Sequence, residues 1–357
     1  MSYNLYATVH KPQLCSAFRA PTAVAKTQAI VDSQGGEETE PANGWPKEKF
    51  LTPEPNEEFV DPEEVYLMPW EDAAVPEGVS STAGDALSYA ASIGLEIGGS
   101  REFVTDACDL VLEFRDIFST ELSPEPADLP PLDVTIDTAK WHQPKNQGRP
   151  RNQSVEGQQE VERHLNKLLE CGAISPVLHA PAYSQVLLVT KPDTTEKRLV
   201  LDYRALNECV GHMNWPLPNI SHMIERIGFL KPRKFAKFDM TKGYWQLGLA
   251  PAVRLATAFI TWMGIFVWNR VPMGLQSAAS YFQYCMLMIV LAGLAYEICE
   301  GYIDDIIVHG QSEADLLRNL RLVFERCRRY RIAFNPKKSK IGLDRIDWVG
   351  HQLDAEG

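Results

Sequence analysis

The sequence predicts an α+β fold. Three observations point there: short strand-forming runs are paired across tight turns, amphipathic helical stretches are interleaved with them, and no regular βαβ repetition or internal repeat is present. An apolar fraction of 45% over 357 residues is sufficient for a real core.

Residues 1–100 read as a disordered acidic region. From Glu37 to Glu77 the chain is rich in Pro, Glu and Gly and short of apolar runs. Such a segment buries too little surface to offset its ordering entropy. One short helix is expected around Gly84 to Leu95. Residues 101–149 read as a helical segment and a linker. Phe103, Ala107, Leu110, Val111, Phe114 and Phe118 recur three or four apart, and Pro124, Pro126, Pro130 and Pro131 then break the pattern.

From about residue 150 the texture alternates. Residues 154–171 predict an amphipathic helix with Val155, Val161, Leu165, Leu168 and Leu169 on one side, ended by Gly172. Ser184 to Thr190 and Arg198 to Leu201 predict a hairpin turning at Pro192-Asp193. Lys234 to Met240 is a short strand. Thr257 to Trp262 and Ile265 to Arg270 flank Met263-Gly264 as a second hairpin. Ala278 to Ala295 is a largely apolar helix. Glu297 to Tyr302 and Ile306 to His309 flank Asp304-Asp305 as a third hairpin, and Glu313 to Tyr330 is an arginine-bearing amphipathic helix.

The net charge of −12 conceals two unlike parts. Residues 1–139 carry 7 Lys/Arg against 26 Asp/Glu, whereas residues 140–357 carry 28 against 21. The second part suits a polyanionic partner, although +7 is also an ordinary mildly basic surface. The seven cysteines are scattered and never in C-x-x-C spacing, which fits reduced thiols better than disulfides or zinc. The N-terminus lacks the apolar core of a signal peptide, and Met286 to Ala295 is too short to span a bilayer. An intracellular protein, cytoplasmic or nuclear and without membrane attachment, is expected.

Tyr302-Ile303-Asp304-Asp305 carries the most chemical content. Two adjacent acids at a hairpin are either a cation site or a turn that favours Asp. Asp239, at the end of the Lys234 strand, is a third acid that can converge with them. Two or three carboxylates are what a pair of divalent ions needs for phosphoryl transfer.

At this point the residues resemble a known family. Lys234–Leu249 (KFAKFDMTKGYWQLGL) resembles the first catalytic motif of gypsy-type long-terminal-repeat retrotransposon reverse transcriptases. Arg198–Asn207 (RLVLDYRALN) is similar to that family's fingers signature, and Val271–Gln283 (VPMGLQSAASYFQ) to its template-and-nucleotide motif. Tyr302–Asp305 is similar to its paired-aspartate hairpin, and Trp348–Gly357 (WVGHQLDAEG) to its primer-grip hairpin. All five stand in the family order, over about residues 103–357, with the segment before Pro131 resembling a pre-fingers linker.

The resemblance implies a right-hand polymerase with an antiparallel palm sheet backed by helices. Fingers would run over about 150–211 and 247–277, and palm over about 212–246 and 278–357. It implies an RNA-directed DNA polymerase that binds an RNA or DNA template with primer, deoxynucleoside triphosphates and two Mg2+ ions, with Mn2+ as a substitute. Asp239, Asp304 and Asp305 would be catalytic and hold the metal. Lys191 and Arg198 would grip the triphosphate, with solvated hairpin charge as the alternative. Tyr244 would exclude a 2′-hydroxyl, with a core tyrosine beside Trp245 as the alternative. Met273, Gly274 and Gln283 would shape the nucleotide pocket. Trp348 and Gly350 would hold the primer, with a buried aromatic hairpin as the alternative. Lys338 is a further candidate for phosphate contact.

The chain departs from the family at Met273, where Phe is usual, and at Ser277-Ala278-Ala279, where Asn-Ala-Pro is usual. Apolar Met can still pack on a base or ribose. Asp32-Ser33 is followed by Gln34, so the retroviral-type protease signature is absent. The chain stops just after the primer-grip motif, so thumb and RNase H are expected to be missing from a fragment of a longer polyprotein. A catalytically idle nucleic-acid-binding remnant is the alternative.

Overall fold

The computed structural model describes residues 83–190 and 196–355. The elements run α1 (Ala83–Ile93), β1 (Glu96–Ile97), α2 (Arg101–Glu113), α3 (Val155–Glu170), β2 (Ile174–Val177), β3 (Ser184–Thr190), β4 (Lys197–Asp202) and α4 (Ile220–Leu230). They continue β5 (Lys234–Asp239), β6 (Phe259–Thr261), β7 (Gly264–Trp268), α5 (Ala278–Tyr284), β8 (Cys299–Tyr302), β9 (Asp305–Gly310), α6 (Glu313–Arg329), β10 (Lys340–Leu343), β11 (Arg345–Trp348) and β12 (His351–Asp354).

Two five-stranded sheets organise the chain. The first has the order β1-β10-β5-β9-β8 and is antiparallel except at its β1 edge. The second has the order β2-β7-β6-β3-β4, with one parallel contact between β3 and β6. The expected mixed architecture with an antiparallel sheet is present.

Strand periodicity explains how the first sheet is covered. Ala236, Phe238, Ile306 and Val308 point into the main core with Leu316, Leu320, Val323 and Phe324 of α6. Phe235 and Ile307 point the other way, into a smaller core with Met223 and Ile227 of α4 and Ile346, Trp348 and Leu353 of the β11–β12 hairpin. Rings of Phe118, Phe238, Phe324 and Phe334 pack with centroids 4.9–6.5 Å apart. Such pairs each add about 0.5–1.5 kcal/mol beyond area burial, and Phe238 anchors the strand that ends at Asp239.

Several expectations need correction. The short helix expected around Gly84 to Leu95 is present as α1, but β1, also within the region expected to be disordered, joins the first sheet through Glu96↔Lys340. The remainder of that region lies outside the described residues, as do Lys191 and the Pro192-Asp193 turn. Val155 is 67% exposed rather than on the apolar side of α3, because it opens the helix just after the Ser154 cap. The apolar helix expected to Ala295 stays α-helical only to Tyr284, then widens into a π-helical segment, Cys285–Val290. There Leu291 N–H donates to the Met286 carbonyl five residues back, and Gly293 turns left-handed. The third hairpin turns at Ile303-Asp304, not Asp304-Asp305, because Tyr302 pairs directly with Asp305. Among the described residues no helix is long and apolar enough to cross a membrane.

Candidate active site

Asp239 and Asp305 are direct partners across β5 and β9. Asp239 alternates with Phe235, and Asp305 with Ile307, so both lie on the sheet face that α4 and the β11–β12 hairpin cover. Asp304 follows Ile303 in the β8–β9 turn, and its carbonyl accepts from Met240 N–H at 2.9 Å. The register therefore brings all three acids to one end of the sheet.

Ile303 has φ +53, a costly conformation for a β-branched residue. Gln283 holds it. The Gln283 side chain is fully buried, its Nε2 donates to the Gly301 carbonyl at 2.8 Å, and its Oε1 accepts from Ile303 N–H at 2.7 Å. The amide is spent on the hairpin backbone. Gly243 is set against the same turn. A Cβ there would lie 2.9 Å from Asp304 Cβ, so close approach rather than a left-handed backbone requires glycine.

Burial raises the Asp304 pKa above the ordinary carboxylate value, reinforced by the charges of Asp305 and Asp239. Burial also raises that of Asp305, opposed by Lys237 and reinforced by Asp239. Two ammonium groups meet these acids. Lys338 Nζ lies 3.1 and 3.2 Å from the two oxygens of Asp239, and Lys237 Nζ lies 3.5 Å from Asp305 Oδ1. No three acidic, His or Cys side chains among the described residues converge as a ready ligand cluster. The donor set still fits a hard divalent ion. It is all carboxylate oxygen, and Asp305 Oδ1 is buried without a hydrogen bond.

Tyr244 lies on a 3-10 turn, Gly243–Gln246, with its ring edge-on to Phe282 at 5.5 Å. Burial raises its pKa, with added contributions from Asp304 and Tyr302, so it neighbours the acids. The core alternative describes its packing, since the ring lies partly buried against the main core. Gly274 has φ +88, and its carbonyl accepts from Asn207 Nδ2 at 2.9 Å, while Asn207 Oδ1 accepts from Gln276 N–H at 2.9 Å. Asn207 thus brackets the loop that presents exposed Met273. Arg198 is exposed on β4 opposite Val189.

Trp348 is fully buried in the smaller core. Val349 and Gly350 make the two-residue turn of β11–β12, both with positive φ. That matches the buried aromatic hairpin, with Gly350 exposed at its tip. Lys237 and Asn207 lie outside the sequence expectations. Lys237 was legible, since it stands two residues before Asp239 and so on the same strand face.

Comparison with known proteins agrees with this arrangement. Residues 189–353 match the family model for reverse transcriptase (RNA-dependent DNA polymerase). Those residues form a reverse transcriptase domain. The chain is 30% identical over 251 residues to the retrovirus-related Pol polyprotein from transposon 412 of Drosophila melanogaster, covering 69% of this chain and 20% of that protein. It is 29% identical over 209 residues to the enzymatic polyprotein of Cauliflower mosaic virus (strain NY8153), covering 58% of this chain and 30% of that protein. The chain thus spans a third or less of the length of these relatives. Foamy viral protease-reverse transcriptase in complex with RNA/DNA hybrid superposes with a TM-score of 0.63 at 19% identity, over 81% of this chain and 38% of that one. Foamy viral protease-reverse transcriptase dRH in complex with double-stranded DNA gives 0.62 at 20% identity, over 81% and 49%. The reverse transcriptase domain therefore has the polymerase fold of that protein.

Proposed function

We propose that the reverse transcriptase domain is an RNA-directed DNA polymerase of a gypsy-type retroelement. It adds deoxynucleotides to a primer annealed on an RNA or DNA template. The observation that carries this reading is the register of Asp239 with Asp305, with Asp304 in the joining turn, which gathers three acids at one end of the sheet. The transposon relative supports the gypsy-type assignment, and the titles of the foamy viral complexes support a primer–template partner.

In this reading Asp239, Asp304 and Asp305 hold two divalent ions, Mg2+ or Mn2+ in its place, which supply charge stabilisation at the phosphoryl oxygens. Arg198 and Lys191 bind the triphosphate, where a planar guanidinium engages two oxygens at once. The Tyr244 ring stands against the sugar and leaves no room for a 2′-hydroxyl. Met273 packs on the base or ribose, and the left-handed Gly274 lets the backbone come close to the nucleotide. Gln283 keeps Asp304 in place. Gly350 presents the hairpin tip to the primer, and Trp348 anchors that hairpin from inside. Fingers and palm divide near residues 211, 246 and 277, after a linker over 101–149. The working compartment is intracellular.

The test is primer extension by the full chain on an RNA template with Mg2+ or Mn2+ and deoxynucleotides. Template-matched addition is expected. A folded chain that adds nothing with either ion would overturn the proposal.

A further inference from the structure

Lys338 sits in a short 3-10 turn, Pro336–Lys338, that is fastened to the catalytic strand. Asn335 N–H donates to the Asp239 carbonyl at 2.8 Å, and the Asn335 side chain caps the turn by accepting from Lys337 N–H at 3.1 Å. This anchorage aims Lys338 at Asp239. Its Nζ is almost equidistant from the two carboxylate oxygens, at 3.1 and 3.2 Å. A divalent ion bound to Asp239 has to approach those same oxygens, and an ammonium and a metal ion cannot share them at close range.

We infer that Lys338 is a built-in competitor of the divalent ion, an ammonium that must leave Asp239 before metal binds there. This rests on the proposed metal role of the three aspartates. Two observations separate Lys338 from Lys237. The Lys338 side chain is 62% exposed on a flexible four-carbon stem, so it swings into solvent at little cost. The Lys237 side chain is 24% exposed, fixed within β5, and bridges to the neighbouring strand. Lys338 is the gate and Lys237 a permanent counter-charge.

Counting all five groups as ionised, three carboxylates and two ammoniums leave a net charge of −1, and displacing Lys338 changes it to −2. Metal affinity is therefore held down while Lys338 is seated. A triphosphate that draws the ammonium away relieves that competition, so nucleotide and metal each favour the other's binding. Such linkage is reciprocal by thermodynamic necessity. A Lys338 that only decorates the surface has no such effect on metal affinity.

The test is Mn2+ binding to the full chain without nucleotide, read from the electron paramagnetic resonance signal of free Mn2+. Lys338→Met, Lys338→Arg and Asp239→Asn are compared with the parent, and circular dichroism melting verifies each fold. An exposed ion pair is worth little, so Lys338→Met should bind Mn2+ roughly three- to tenfold tighter. Lys338→Arg keeps the competing charge and should stay near the parent value. Asp239→Asn should lose affinity. If Asp239→Asn loses binding while Lys338→Met is unchanged or weaker, the competitor role is refuted and the metal reading stands. If Asp239→Asn binds like the parent, the metal reading itself is refuted. Absence of measurable binding by both the parent and Lys338→Met also overturns the inference.

Discussion

Replacing Gln283 by Leu tests how the paired-aspartate turn is held. The side chain makes two buried hydrogen bonds, to the Gly301 carbonyl at 2.8 Å and from Ile303 N–H at 2.7 Å. Leu satisfies neither. Each buried backbone group left without a partner costs about 1–3 kcal/mol, so the pair together costs roughly 2–6 kcal/mol. Ile303 aggravates the loss, because its φ of +53 is tolerated only while the surroundings enforce it. In a domain of this size about 1 kcal/mol moves the melting temperature by roughly 2–4 °C, so a drop of roughly 4–24 °C is expected. The turn should relax and carry Asp304 with it, and a displacement of about 1 Å can cost on the order of a hundredfold in rate. Melting curves and single-turnover primer extension measure both effects. A Gln283→Leu protein with the parent's melting temperature and a raised KM for deoxynucleotide would refute the clamp and make Gln283 a direct nucleotide contact.

Tyr244→Ala should raise ribonucleotide use relative to deoxynucleotide use by roughly tenfold to a hundredfold, whereas Tyr244→Phe should retain most discrimination. The ratio of kcat/KM for dGTP and GTP checks this, and an unchanged ratio in a folded Tyr244→Ala protein removes the sugar-gate role. Arg226→Ala should destabilise by about 3 kcal/mol, because it strands the buried Glu300 carboxyl without its counter-charge. Urea unfolding measures it, and a change within the noise refutes the pair's importance. His309 is buried, and burial lowers its pKa to about 4. The unfolded chain binds a proton near pH 6.5 and the folded chain does not, so stability present above pH 6.5 is lost as the pH falls towards 4. Urea midpoints at pH 7 and pH 4.5 should differ less in His309→Phe than in the parent, and an equal difference contradicts the assignment.

Local chemistry made much of the fold legible. Strand β3 and helix α6 follow from alternation and from apolar residues three or four apart, signals that the chain carries within a few neighbours. Helix α4 bears a signal of the same kind that the expectations omitted. Asn219 caps it, and Met223 and Ile227 stand four apart on its buried side. Strand β1 had no such signal, since two residues show no period and their pairing with Lys340 and Ile341 is long-range. The π-helical turn was equally hidden, because an apolar run looks alike in either helix.

The site divides in the same way. The acids were legible as residue types at strand ends, and the resemblance supplied their roles. Their facing register was not legible, because it depends on how β5 and β9 slide past each other. Gln283 was expected at the nucleotide, yet its contacts lie with the backbone of Gly301 and Ile303. Lys338 reaches Asp239 from a loop far along the chain, and no local pattern announces that meeting.

The central claim is that Asp239 and Asp304 perform phosphoryl transfer in a folded reverse transcriptase domain. The most direct measurement is single-nucleotide extension of a DNA primer on an RNA template by the parent, Asp239→Asn and Asp304→Asn, with melting temperatures taken alongside. The neutral amides keep the shape of the acids but lose the charge that holds a divalent ion. The parent should extend, both variants should melt near the parent temperature, and neither should add a nucleotide at a detectable rate. Extension at the parent rate by either variant would contradict the assignment.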